Sequence, residues 1–547
     1  MIALFVDTMV QPRFEAQRNI ENTDVWIFGS GTESLASALY LVKHAKLDPP
    51  RIHILDKRLF SERISYNTGC PSEGYDQFAG CLPVPAGLPM EKLLAMLPST
   101  RSKEPSLLDE IRTAEANRVP KKRNARTCFL TMTKDSVRHI PTGSLNMSYK
   151  QRIALIRLLL KGESYLSQRQ IQELFPESFF QCPFWEIWSA QFGFQPWHSA
   201  AEFMRSIRQF LPQFHSLSIL SCLDITGYYQ YESLYLPLYF YLRSCGVDFR
   251  FGVEVKDIEV TNDNAGKRIV GFKLVQDDLQ MREQLGDDDI AIISIGSTIS
   301  GSAVGTNSSA PVWHSLDADN VFDQNWSVWL DLGNKHAGSG LGNPYNFCTR
   351  QCESMLESFT VTTQDLVLYD DIRSLSQCTS EAGAFIFLGN SNWKINLCIP
   401  AQPAFPKQPQ GVRILWGFAH LPQVEGNYVK RKMLNCSGAD ILSEILGHLN
   451  LHYNPPLSRT VTIPRAMPRM SALFLTRALG DRPSIMPLSN VGLVGPFTDF
   501  LGYTCADISY GIRTAKMAVY KLMGLEGDLE DPLKSRPSII RKIIFWR

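Results

Sequence analysis

Residues 24–57 read DVWIFGSGTESLASALYLVKHAKLDPPRIHILDK, and the order of residue types in this stretch decides the fold. Val25 to Phe28 is a short apolar run with strand character, and it ends in Gly29-Ser30-Gly31. Leu35, Ala38, Leu39 and Val42 then recur at helical spacing. Ile52 to Leu55 forms a second apolar run closed by Asp56. Strand, glycine turn, helix and acid-tipped strand make up the pattern of a dinucleotide-binding unit. Gly29 and Gly31 permit the tight turn and let backbone N–H groups approach a pyrophosphate at the helix N-terminus. Ser34 stands at the third glycine position, where a small side chain still allows helix and strand to pack. Asp56 is suited to hold a ribose hydroxyl.

Later segments extend the pattern toward FAD rather than NAD. Residues 246–260, GVDFRFGVEVKDIEV, alternate as strands do, and DDDIAIISIGS (287–297) is a buried strand ending at Gly296. A strand pair around Val255 followed by such a strand is a common way for FAD folds to complete the adenine side. NVGLVGPF (490–497), with a helical pattern from about 507 to 523, resembles the strand and helix that close over a flavin. The candidate cofactor contacts are therefore Gly29, Gly31, Ser34, Asp56, Val255 and Gly296.

A chain of 547 residues accommodates two or three domains, and 44% hydrophobic against 20% charged residues suits a globular protein with large cores. A net charge of +1 excludes broad electrostatic attraction to nucleic acid. No run of about 18 apolar residues offers a transmembrane helix. The N-terminus MIALFVDTMVQPRF carries Asp7 early and lacks a basic n-region, so no secretory signal is expected and a cytoplasmic location is. The twelve cysteines are scattered, with no CxxC pair and no histidines at zinc spacing. Cys348 and Cys352, four apart, are expected to be reduced thiols, and no metal is expected.

Beyond these general signals the chain carries idiosyncratic strings. They include GSGTESLASALYLV, RIHILD, FWEIW, FGFQPWHSAAEF, YYQYESLYLPL, SNWKINLCIPAQPAF, WGF, EGNYVKRKMLNCSGADILSEIL, GDRP and YGIRTAKMAVYKL. In these strings the chain resembles the oleate hydratases, also called the myosin-cross-reactive antigen family. The resemblance implies an α/β protein with an FAD-binding Rossmann-like core, a mixed α/β substrate domain and helical regions. The expected divisions are 18–145, 223–305 and 466–525 for the nucleotide-binding core, 146–222 for a helical region lining the substrate cavity, 306–465 for the substrate domain, and 526–547 for a C-terminal tail. It also implies a homodimer, and FAD used without net redox change while water adds across an isolated double bond of a fatty acid.

The residues that carry this chemistry in the family are replaced. An isolated alkene needs a positioned acid to protonate it or a base to orient water. The family's water-activating glutamate lies in a GGRE-type loop after a Gly-Tyr pair. Ungapped alignment from Gly74-Tyr75 to Leu97-Pro98-Ser99 sets Gly80 on the second glycine, Cys81 on the arginine and Leu82 on the glutamate. Leucine can do neither task. The family's proton-donating tyrosine follows WHSA-x-E in an RRY string, where this chain has Met204, Arg205 and Ser206. A serine hydroxyl is too weak an acid to replace a tuned phenol unaided.

Carboxylate capture changes as well. Gln230 survives in YYQY, but the family's Thr-x-Asn-x-x-x-His positions fall on Cys398, Pro400 and Ala404. Most specific hydrogen bonds to a free carboxylate are thereby lost. The resemblance places Gln230, Cys81, Leu82, Ser206, Cys398, Pro400 and Ala404 around a small hydrophobic substrate. Near the flavin, Glu62, Arg63 and Ile64 stand where the family has Gly-Gly-Ser, which leaves occupancy of the FAD site open.

Three readings follow. In the first, the scaffold performs redox-neutral alkene chemistry (isomerisation, cyclisation, hydration or dehydration) on a hydrophobic polyene or polyketide-like metabolite. In the second it is a fatty-acid hydratase whose acid and base have moved, with Glu73, Asp76, Tyr228 and Glu232 as candidates. In the third it binds lipid or flavin without catalysis. His198 in PWHSA is expected to be a packed residue, and Arg63 and Arg205 are candidate anchors for an anion. The tail IIRKIIFWR mixes Ile539, Ile540, Ile543, Ile544, Phe545 and Trp546 with Arg541, Lys542 and Arg547. It suits either a peripheral membrane contact or packing on the protein body.

Overall fold

The computed structural model describes residues 18, 20–60, 69–76, 88–100, 103–118, 128–132, 137–139, 146–213, 234–263, 266–313, 322–336, 338–375, 384–400, 402–405, 408–453, 458–500, 502–507, 509–527 and 536–545. Strand Val25–Phe28 is buried along its whole length. It is the middle of a five-stranded parallel sheet ordered Val491–Val494, Ile290–Ser294, Val25–Phe28, Ile52–Asp56, Asp248–Phe251. Near-continuous apolar runs such as IAIIS fit strands covered on both faces. Helix Thr32–Tyr40 starts directly after Gly31 and sets Leu35, Ala38 and Leu39 into the core. Gly29, with φ at +91°, makes the turn that a side chain would strain. The chain leaves the central strand in both directions, which is the switch point where open α/β sheets bind ligands. An antiparallel ribbon of Glu254–Asp263, Gly266–Gln276 and Leu279–Gln284 flanks this sheet.

A second sheet has eight strands, ordered Ala303–Val304, Thr460–Met467, Leu356–Thr363, Arg413–Ala419, Ile395–Ile399, Ala384–Phe387, Cys128–Met132, Val137–His139. All joins are antiparallel except that between Ala384–Phe387 and Cys128–Met132. Strand alternation gives it two apolar faces. Phe359, Val361, Ile395, Leu397 and Leu415 share one with Ile441 and Ile445 of helix Gly438–Leu449. Phe385, Cys398, Trp416 and Phe418 share the other with the helical region.

That helical region is aromatic, as its composition suggested. Helix Pro183–Phe192 opens on a proline at its first position and closes on Gly193 at φ +75°. It meets helix Ala200–Phe210 through Phe192 and Phe210, whose rings stack 4.9 Å apart.

The tail belongs to this core. Ile539 and Ile543 of helix Arg536–Phe545 are fully buried in the same aromatic cluster. Lys542 Nζ donates to the Pro212 carbonyl at 2.8 Å, and Arg152 Nη1 to that of Ile543 at 3.3 Å. Of the two expectations for this tail, packing on the protein body accounts for Ile539 and Ile543, while Ile544 and Phe545 are exposed; Trp546 and Arg547 lie outside the described residues. Among the described residues no helix is long and apolar enough to cross a membrane. Cys348 is buried, Cys352 is exposed, and among the described residues no cluster could hold a metal ion.

Candidate functional site

Two places collect the residues of interest. One is the crevice at the C-terminal ends of the parallel strands. The other is the face of the eight-stranded sheet that meets the helices.

Gly29, Gly31, Asp56, Val255 and Gly296 lie about the strand ends, where they meet partners from elsewhere in the chain. A Cβ built on Gly31 would stand 2.9 Å from Glu33 Oε1, and one on Gly29 would stand 3.5 Å from the Asn325 amide. Glu33 Oε1 accepts from Ser294 Oγ at 2.6 Å, and Ser294 Oγ accepts from Asn325 Nδ2 at 2.9 Å. Both oxygens of Asp56 are engaged. One takes the Ser30 N–H at 3.1 Å and its hydroxyl at 2.5 Å, while the other takes the Arg58 N–H at 2.9 Å. The Val255 N–H donates to Gln324 Oε1 at 3.3 Å. A Cβ on Gly296 would fall 2.5 Å from the ring of Phe497, which packs edge-on against Trp326. Ser34 is buried in helix Thr32–Tyr40, and its hydroxyl has no partner among the described residues. Glu62, Arg63 and Ile64 lie outside the described residues.

On the sheet face, Cys398 is buried opposite Phe385 and Trp416. Pro400 and Ala404 follow it and are half-buried, with Ala404 packed against Tyr75, Phe405, Val412 and Ile414. Ser206 does not reach that strand. It is fully buried, donates to the Phe203 carbonyl at 2.8 Å and accepts from Trp188 Nε1 at 3.0 Å. Just before the undescribed residues 77–87, the Tyr75 N–H donates to Thr362 Oγ1 at 2.8 Å and Asp76 pairs with buried Arg465. Cys81, Leu82, Tyr228, Gln230, Glu232 and Arg63 lie outside the described residues. Glu73 is exposed.

Arg205 is no open anchor. It pairs with Glu163 at 2.7 Å, Glu202 at 3.3 Å and Asp499 at 3.4 Å. Burial would raise the Glu202 carboxyl, but Arg482, Arg477 and Arg205 around it hold it below the ordinary range. His198 is fully buried, accepts the Gln195 N–H at Nδ1 and faces the Glu353 carbonyl through Nε2 at 3.3 Å.

Three buried polar groups in the second sheet escaped sequence reasoning. Glu357 has both carboxylate oxygens without a hydrogen-bond partner among the described residues, and burial raises it well above the usual carboxylate value. His420 has both ring nitrogens without one, and burial, then His198 and Lys394, push it down to about 3. It stands edge-on to Phe418 at 5.3 Å, on the face that carries Cys398. Asn396 Oδ1 is the third. The only sequence signal was a single polar residue beside apolar strand positions, in LESFTV and LWGFAH, which is common at strand ends and edges.

Comparison with known proteins places these observations. A family model described as the MCRA family matches residues 22–520. Oleate hydratase of Streptococcus pyogenes serotype M49 (strain NZ131) is 27% identical over 523 residues, covering 93% of this chain and 86% of that protein. Linoleate hydratase of Lactiplantibacillus plantarum is 27% identical over 420 residues, covering 71% of this chain and 72% of that one. Among solved structures, cyclohexylamine oxidase from Brevibacterium oxydans IH-35A aligns with a TM-score of 0.48 at 11% identity, over 92% of this chain and 99% of that chain.

Proposed function

The chain belongs to the MCRA family, and on that premise we propose that it carries out redox-neutral alkene chemistry on a hydrophobic, unsaturated substrate other than free oleate. The observation that carries the reading is the state of the four described positions matched to the family's acid and carboxylate grip. Ser206 spends its hydroxyl on Phe203 and Trp188, and Cys398, Pro400 and Ala404 supply no cation and no strong acid. A conjugated polyene or polyketide-like substrate asks less of the protein, because its cation or enol is resonance-stabilised.

The chain's own contribution is then shape and surroundings. Phe385, Trp416 and Phe418, facing the aromatic helices, form an apolar wall suited to holding one reactive conformer. Ring faces such as that of Trp416 are suited to stabilising developing positive charge. His420 adds a neutral imidazole on the same side of the sheet, with one N–H to donate and one lone pair to accept. No step is routed through a flavin.

Incubation with oleate, followed by metabolite profiling of a deletion strain, tests this. We expect no hydroxystearate from the wild type or from Leu82→Glu, and a changed profile of unsaturated metabolites in the strain. Hydroxystearate from the wild type overturns the substrate reading, and an unchanged profile overturns catalysis. One observation favours the second reading, a fatty-acid hydratase with relocated groups: His420, on the face that carries Cys398, is a buried titratable residue without a hydrogen-bond partner among those described. On that reading, His420→Phe abolishes hydration of oleate.

A further inference from the structure

We propose that the dinucleotide crevice is closed by the chain's own side chains and that this protein works without bound FAD. The inference rests on the geometry of the parallel sheet and not on the substrate reading above. In this fold a dinucleotide lies across the strand ends at the switch point, here between Val25–Phe28 and Ile290–Ser294. Its pyrophosphate needs open space over the glycines, its ribose a carboxylate oxygen, and its adenine a backbone edge.

The space over the glycines and the backbone edge are taken by residues of this chain instead, and Asp56 is already bonded within the chain. At the N-terminus of helix Thr32–Tyr40, where a phosphate would sit, the Glu33 carboxylate stands over Gly31, 2.9 Å from the place of a Cβ. It already supplies the negative charge that the helix end attracts, and it repels a second anion. The Asn325 amide covers Gly29, and the run Asn325 to Ser294 to Glu33 spans the crevice with hydrogen bonds of 2.9 and 2.6 Å. Ser30 and Arg58 hold the two oxygens of Asp56. Gln324 takes the Val255 N–H, and Phe497 seals Gly296.

Gln324 and Asn325 are consecutive, in the first turn of helix Gln324–Lys335. Asp323 caps that helix by accepting the Trp326 N–H at 3.2 Å, and the Trp326 indole donates to the Ser297 carbonyl at 2.8 Å. The plug is therefore part of the core that holds the sheet. One rotamer change at Glu33 would open only the phosphate position. Reopening the rest requires Gln324, Asn325 and the buried ring of Phe497 to leave together.

The test uses the full chain, expressed with riboflavin in excess, purified, denatured and assayed for released flavin by fluorescence. FAD is then titrated into the native protein while its fluorescence is followed. We expect no flavin above background and no saturable change up to about 100 μM FAD, a concentration that fills any site of micromolar affinity. The opened variant Glu33→Ala/Gln324→Gly/Asn325→Gly/Phe497→Ala is expected to bind FAD at least tenfold more tightly than the wild type. Flavin near one per chain in the wild type, or saturable micromolar binding to it, overturns the proposal. A folded opened variant that binds no better than the wild type also overturns it, since those side chains would not be the barrier. Should that variant fail to fold, Glu33→Ala alone serves with inorganic pyrophosphate as the probe: saturable binding that the wild type lacks is expected, and none overturns the proposal. Because none of these readouts involves turnover, their failure is distinct from failure of the proposed chemistry.

Discussion

At the ends of the parallel strands, Glu33, Ser294, Asn325 and Asp56 meet polar partners; in the eight-stranded sheet, several buried polar groups have no hydrogen-bond partner among the described residues. Glu33, Ser294 and Asn325 form a closed run of hydrogen bonds, and Asp56 is held by Ser30 and Arg58. Glu357, His420 and Asn396 Oδ1 lack hydrogen-bond partners among the described residues. Buried polar groups are normally paired, so an unpaired one needs an explanation. The bonded run across the crevice thus has the character of core, with Ser34 Oγ and Gln324 Nε2 left without partners among the described residues, and the sheet has that of a place where a ligand or another group completes the bonding. A feature kept from a cofactor site can become structural once its polar groups are satisfied from within.

The comparison breaks most sharply at Phe497. If the crevice is core, Phe497→Ala leaves a cavity against Trp326 and Gly296 and costs about 3–5 kcal/mol. Urea denaturation measures this, and a loss below about 1 kcal/mol would mark the ring as a loose cover. A smaller effect is expected from Asn325→Ala, which deprives Ser294 of a donor and costs about 1–2 kcal/mol by the same assay.

In the sheet the expected signatures are titrations. Glu357 binds its proton more tightly folded than unfolded, so its contribution is fully present below the unfolded value of about 4.3 and is lost as pH rises toward its folded value. Stability of the wild type should fall by about 1.4 kcal/mol per pH unit in that window from this group, and Glu357→Gln should remove the slope. His420 has the opposite sign. Its folded value, about 3, lies below the unfolded value of about 6.5, so the unfolded chain takes up a proton first as pH falls. Its stabilisation is present above about pH 6.5 and is lost toward pH 3; His420→Phe should lessen the acid slope by about 1.4 kcal/mol per pH unit. At pH 7 the same variant should change stability least of the four. His198, also pushed down to about 3 by burial, keeps the remaining slope.

Legibility followed locality. The strand, glycine turn, helix and second strand were readable because apolar periodicity and two glycines lie within the 32 residues of Val25–Asp56, and the parallel pairing of the two strands follows from their spacing. The aromatic helical region was readable in the same way. Membership of Cys398 in the apolar wall could be anticipated from its strand, whereas the engagement of Ser206 by Trp188 could not, since the indole N–H comes from another helix. The tail carried an ambiguous mixture of isoleucine and basic residues, and only the tertiary structure showed that Ile539 and Ile543 are buried while Ile544 and Phe545 are exposed.

By itself the sequence determined the element types and their order, and with them the family, because these depend on residues near one another in the chain. What fills the crevice depends on residues brought together by folding. Glu33 meets Ser294 across 261 positions, and Val255 meets Gln324 across 69. No local periodicity encodes such a meeting. The glycines announced a cleft, but whether it stays open is a matter of volume and hydrogen-bond partners, which only the tertiary structure decided.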